Sequence, residues 1–238
     1  IMMGISAFEL ATAMLHMGRR IPRTPSVITA LVAVPVAYYF GIVPVFGVVV
    51  LGIALTAFWR YYEVRTGHRP TDRSGLKGDI AGAALVQTYV TLLGSFAVAL
   101  VAKPDGQWWT LAFLITVVSV DTGAYISGLN FGKHLMAPKI SPKKTWEGFA
   151  GAGLFAMVAG ILLSIFMLGQ PWWFGIIFSV LILISATLGD LGESQLKRRI
   201  GVKDMSSWLA GHGGFLDRLD SILPSAVVTF LLYSLVMG

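Results

Sequence analysis

With 55% hydrophobic and only 13% charged residues among 238, and a mean hydropathy of +0.75, the chain cannot be an ordinary water-soluble domain. The absence of cysteine excludes disulfides, thiolate catalysis and thiolate metal sites. Carboxylates, imidazoles and hydroxyls remain as functional groups, with oxygen-ligated hard cations as the metals to expect.

Apolar runs able to cross a hydrocarbon layer of roughly 30 Å, at about 20 residues each, fall at 1–18, 25–41, 43–64, 79–101, 108–129, 147–169, 173–193 and 219–237. The expected fold is all-α, a polytopic transmembrane helical bundle of about eight spans. By character it divides into N-terminal helices at 1–78, middle helices at 79–130 and a C-terminal catalytic region at 131–238. The first run opens in apolar sequence at Ile1 without a basic flank or cleavage pattern, so one more helix is expected upstream. Glu9 sits ten residues before Arg19, about 15 Å deeper by helix rise, which favours a structural hydrogen-bonding role over a catalytic one. The second run is short and contains Pro35, and Pro44 opens the third, a pattern predicting a tight helical hairpin. Glycines 41, 47, 52, 82, 94 and 123 permit close helix contacts, either within the chain or in a homodimer.

Of the 18 basic residues, all but Lys103 lie after the first, third, fifth or seventh run. Arg60 is counted with Arg65, Arg69, Arg73 and Lys77 in the connection after the third run. Such asymmetry predicts that these connections are cytoplasmic, and topology accounts for Arg19, Arg20, Arg23 and the group from Arg60 to Lys77, with anionic-lipid attraction as an addition. No Walker-type loop, GxSxG or HExxH motif occurs.

Acidic residues in apolar runs each cost roughly 2.5 to 3.5 kcal/mol to insert, so Glu9, Asp121, Asp190 and Glu193 are expected to face the bundle interior. Asp121 falls late in the fifth run, Asp190 near the end of the seventh, and Asp217 and Asp220 at the start of the eighth. Four carboxylates from three helices are thus predicted to meet at one depth. Asp190, Glu193, Ser194 and Lys197 recur at intervals of three and four, a polar stripe on one helix face, and Asp217 and Asp220 would share a face if helical. Carboxylates so placed would suit Mg²⁺ completed by phosphate oxygens, with a second cation in a two-metal arrangement. An ion network of Asp217, Arg218 and Asp220 with Lys197, Arg198 and Arg199 explains the same spacing equally well.

Gly211, His212, Gly213 and Gly214 precede these acids, and glycines before a helix let the backbone approach an anion closely. Lys197, Arg198, Arg199 and Lys203 would neutralise a polyphosphate, and Arg218 would fork onto one phosphate. The fifth connection adds Ser141, Pro142, Lys143, Lys144 and Thr145, where the Ser-Pro pair reads as a turn or helix start and the lysines and hydroxyl would meet a phosphate. Glu147 reads as an N-terminal helix residue favoured by the dipole.

The run Ser194-x-Leu-Lys197-Arg198, then Lys203-Asp204, then Gly211-His212-Gly213-Gly214-x-x-Asp217-Arg218-x-Asp220 closely resembles the signature of the bacterial-type phosphatidate cytidylyltransferases, the CDP-diacylglycerol synthases. Ser141-Pro142-Lys143-Lys144-Thr145 with Glu147-Gly148, and the Asp121 segment, resemble that family too. Ala210 departs from the proline or glycine usual before the Gly-His-Gly-Gly turn.

The resemblance implies transfer of the cytidylyl group of CTP to phosphatidic acid at a cytoplasm-facing site in the bacterial inner membrane, with lipid bilayer but no nucleic acid as partner. It further implies Asp190, Asp217 and Asp220 as Mg²⁺ ligands with Asp121 as an addition, and Lys143, Lys144, Lys197, Arg198 and Lys203 on phosphates beside Ser141, Thr145 and Ser194. His212 and Arg218 would orient those phosphates. Two other functions fit some features: a CTP-dependent polyprenol or phytol kinase, moving the γ-phosphoryl group, and an ion-coupled transporter, which needs acids nearer mid-membrane.

Overall fold

The computed structural model of the protein describes residues 1–67, 75–208 and 213–237. Ala210, Gly211 and His212 of the signature, and Arg69 and Arg73, lie outside them. Every predicted run is helical. The helices are α1 (Met2–Ala13, continued by a 3₁₀ turn Met14–Met17), α2 (Arg23–Phe40), α3 (Ile42–Arg65), α4 (Gly75–Val86) with α5 (Leu93–Val101), α6 (Gly106–Phe131), α7 (Trp146–Phe166), α8 (Trp172–Ile200) and α9 (Ile222–Met237). A π-helical segment, Gln87–Leu92, joins α4 to α5. By length and composition α3, Gly75–Val101, α6, α7 and α8 are long and apolar enough to cross a membrane. The chain is an all-α polytopic membrane bundle, and its small addition is a two-stranded antiparallel hairpin, β1 (Leu135–Ala137) with β2 (Ser141–Thr145). It forms two compact units, Ile1–Ala99 with Leu196–Leu219, and Leu100–Gln195 with Asp220–Gly238.

In the first unit, α2 and α3 form the predicted hairpin about a single residue, Gly41, whose φ of 79° suits glycine. Thr29 of α2 packs against Gly52 of α3, and these two lie nearly equidistant from Gly41, as antiparallel packing requires. The span from α4 to α5 carries two glycine contacts: Gly82 packs on Ile21 and Gly94 on Met3.

Arg60 is a correction. It is no connection charge but lies inside α3, 1% exposed, its Nε donating to Asp79 Oδ2 at 2.7 Å and an Nη to Glu63 at 3.3 Å. Asp79 is equally buried and also accepts the Arg20 amide at 2.8 Å. Helix α3 outlasts its apolar stretch and turns this charge inward, where only a partnered ion is tolerable.

In the second unit, α6 and α7 run antiparallel at backbone contact. A side chain on Gly151 would overlap Ser127, and one on Gly123 would meet Phe155 and the Gly151 carbonyl. The Ser141-Pro142 pair begins strand β2 rather than a turn or helix. The helix start comes later, at Trp146, where Thr145 accepts the Gly148 amide at 3.1 Å as N-cap. Glu147 sits in the first turn as expected and accepts the amides of Lys133 and His134 at 3.1 and 3.2 Å, with His134 Nδ1 2.5 Å from its other oxygen. Ser179 of α8 donates to the Ala156 carbonyl of α7 at 2.8 Å, and Ser185 of α8 meets Ser225 of α9.

Asp217 and Asp220 do not share an α-helical face. Asp217 is in a 3₁₀ turn, Leu216–Arg218, and α9 begins only at Ile222. Pro224 explains the break. A continuous helix would bond the Asp220 carbonyl to an N–H at 224, which proline lacks, and that carbonyl packs on Gly189 instead.

Candidate active site

The second unit contains a cavity of about 350 Å³. Helix α6 contributes Asp121 and Tyr125, β2 contributes Ser141, Lys143, Lys144 and Thr145, α7 contributes Phe149, and α8 contributes Thr187 and Asp190. Helical phase accounts for the α8 pair, since Thr187 is one turn before Asp190. Lys144 Nζ forms an ion pair with Asp190 Oδ2, and Ser194 Oγ donates to Asp190 Oδ1 at 3.3 Å, so these two members of the predicted stripe share a face of α8. Two lysines and two aspartates give the walls no net charge. A polyphosphate alone would find little field there, whereas a polyphosphate carrying a divalent cation matches both signs.

In the first unit the signature segment is held by carboxylates. Asp217 Oδ1 pairs with Lys197 Nζ at 2.8 Å, while Oδ2 accepts the Met205 amide at 2.9 Å and the Gly214 amide at 2.7 Å. Of the two explanations for its spacing, the ion pair with the basic run is the one seen for Asp217. Gly213 has φ 77°, and a Cβ there would lie 2.9 Å from Asp217 Oδ2. Gly213 thus admits the protein's own carboxylate to the backbone. Arg198, Lys203 and Arg218 are exposed.

Among the described residues no three His, Asp or Glu side chains gather as metal ligands. Of the four carboxylates expected to meet, Asp121 and Asp190 share the cavity of the second unit, and in the first unit the Asp217 oxygens take three donors. Asp220 Oδ1 accepts the neighbouring Ser221 amide at 2.6 Å, and Ser221 rather than Asp220 lines the cavity. An oxygen-only pair such as Asp121 and Asp190 still suits Mg²⁺, which often takes one or two carboxylates and leaves other positions to phosphate and water.

Spacing singled out Asp121, Ser141, Lys143, Lys144, Thr145 and Asp190, and the cavity unites them. Met136, Phe149, Thr187 and Ser221 were missed. Thr187 was accessible as the next turn of the α8 stripe. Phe149 lies on the face of α7 that carries Gly148 and Ala152, a pattern that reads as simple packing.

A family model described as the cytidylyltransferase family matches residues 1–236. The chain is 36% identical over 236 residues to the phosphatidate cytidylyltransferase of Mycobacterium bovis, covering 97% of this chain and 77% of that protein. It is 39% identical over 191 residues to the protein of the same name from Mycobacterium leprae, covering 77% and 61%, and 44% identical over 133 residues to that of Haemophilus influenzae, covering 54% and 46%. These matches extend the likeness from the signature to nearly the whole sequence, and the chain belongs to the cytidylyltransferase family of nucleotidyltransferases.

Proposed function

We propose that this protein transfers the cytidylyl group of CTP to phosphatidic acid, giving CDP-diacylglycerol and pyrophosphate, at a site on the cytoplasmic side of the bacterial inner membrane. The observation that carries the proposal is the cavity in which Ser141, Lys143, Lys144 and Thr145 face Asp121 and Asp190, in a chain whose relatives are named for that reaction. The basic connections support the cytoplasmic placement.

A phosphate oxygen of phosphatidic acid forms a bond to the α-phosphorus of CTP as the bond to the β-phosphate oxygen breaks, and pyrophosphate leaves. The nucleophile is already an anion, so no strong base is needed. The protein's work is to bring anions together and hold them in line. Lys143 and Lys144 bind phosphate oxygens, and the Ser141 and Thr145 hydroxyls fix their orientation. Ser194 holds the Asp190 carboxylate. Asp121 and Asp190 would hold Mg²⁺, which supplies neutralisation of charge on the phosphate oxygens. In the first unit, Lys197, Arg198 and Lys203 are assigned to substrate phosphates.

Purified protein given α-labelled or γ-labelled CTP with phosphatidic acid tests this. The α label is expected in extracted lipid and the γ label in pyrophosphate, with EDTA stopping the reaction and Mg²⁺ restoring it. Label from the γ position in lipid would identify a lipid kinase instead. Cation flux into liposomes with no labelled lipid would identify a transporter.

A further inference from the structure

Glu9 lies almost 200 residues from the signature segment and is 1% exposed. Its Oε1 accepts the Ser206 hydroxyl at 2.5 Å and the Phe215 amide at 3.0 Å, and its Oε2 accepts the Leu216 amide at 2.9 Å. All three donors come from the signature region: Ser206 on one side of residues 209–212, and Phe215 and Leu216 on the other. A buried carboxylate costs several kcal/mol unless hydrogen bonds replace its water, and this segment supplies those bonds.

Two further observations show that α1 is fitted to this segment. Gly214 is buried, and a Cβ there would lie 2.9 Å from Glu9 Oε1 and 3.0 Å from Oε2; the missing side chain makes room for the carboxylate. The neighbouring residue of α1, Phe8, packs its ring on Trp208 at 5.5 Å between centroids, with the Arg23 guanidinium 5.1 Å from the same ring. Asp217 takes the Gly214 amide and Glu9 the next two, so three consecutive backbone N–H groups are bound by two carboxylates.

We infer that Glu9 is a positioning residue for the reaction: from the first helix it clamps Ser206 together with Phe215 and Leu216, and fixes where the adjoining Lys203, Asp217 and Arg218 stand. This rests on the proposed cytidylyl transfer for its catalytic consequence and on hydrogen bonding alone for the clamp. Misplacement by about 1 Å, far from the bond being made, costs on the order of a hundredfold in rate.

The full chain in lipid nanodiscs, as wild type, Glu9→Ala and Ser206→Ala, tests it by amide hydrogen exchange and by CDP-diacylglycerol formation. In Glu9→Ala the Phe215 and Leu216 amides are expected to exchange at least about tenfold faster, with exchange in α6 and α7 unchanged. Its kcat is expected to fall about a hundredfold. Ser206→Ala, losing one hydroxyl donor, is expected to shift both measurements in the same direction by less, and it carries the test should Glu9→Ala fail to fold.

Wild-type exchange at Phe215 and Leu216, a loss of protection spread evenly over the chain, or faster local exchange with wild-type kcat would each overturn the inference. If the wild type makes no CDP-diacylglycerol, the proposed reaction fails, while the exchange measurement still reports the clamp.

Discussion

Asp190→Asn is expected to lower CDP-diacylglycerol formation about a thousandfold, on the order of 4 kcal/mol of transition-state stabilisation, with helical content and thermal midpoint in detergent unchanged. Asn preserves the shape of the side chain and an oxygen for the Ser194 hydroxyl, which donates to Asp190 Oδ1. What it removes is the charge that pairs with Lys144 and that would hold Mg²⁺. Asp190 is only half-buried, so losing that charge does not strand a cation in the core. Initial rates measured across Mg²⁺ concentrations check this. Activity within tenfold of wild type at saturating Mg²⁺ would remove Asp190 from the site.

Stability, rather than turnover, is expected to report on Asp79. Replacing it with Leu leaves the buried Arg60 guanidinium with a lost partner and the Arg20 amide without its acceptor, a change expected to cost about 3–5 kcal/mol. The double variant Arg60→Leu with Asp79→Leu is expected to recover most of that, because a well-packed apolar pair substitutes for a buried ion pair at little net cost. Thermal unfolding of the singles and the double closes the cycle. A single variant as stable as the wild type would show that the pair contributes nothing.

Most of the helices were legible because lipid imposes a length and a composition that few other environments demand. Part of the polar stripe read from Asp190, Glu193, Ser194 and Lys197 was legible for a similar reason: Asp190 and Ser194 are four apart, which puts them on one helix face, and they hydrogen-bond there. Asp217 and Asp220 misled, because a spacing of three implies a common face only if the helix persists, and Pro224 ends that persistence. Arg60 misled in the opposite way. A cationic residue near the end of an apolar run is the usual mark of a membrane boundary, and the acid that draws it inward, Asp79, lies in another helix.

Glu9 illustrates what spacing cannot reach. Its depth in the first run identified a structural hydrogen-bonding group, but its donors are some 200 residues away, and no local pattern names them. Gly214 gave no signal of its own: only the structure shows a glycine outside the left-handed region that makes room for a neighbouring carboxylate.

The π-helical segment Gln87–Leu92 divides one long helix into two registers. Buried positions along it fall at Asp79, Gly82 and Ala83, Val86 and Gln87, Val90 and Thr91, Gly94 to Phe96, and Ala99 and Leu100, an average step of about four residues where an unbroken α-helix would repeat every 3.6. The wider turn takes up the surplus. Asp79 and Gly82 can therefore address one set of partners while Gly94 meets Met3, and neither half dictates the rotation of the other. An insertion or deletion of one residue within 87–92 would act like a frameshift for packing: the letters on either side would stay the same, but one half of the span would be read about 100° out of phase.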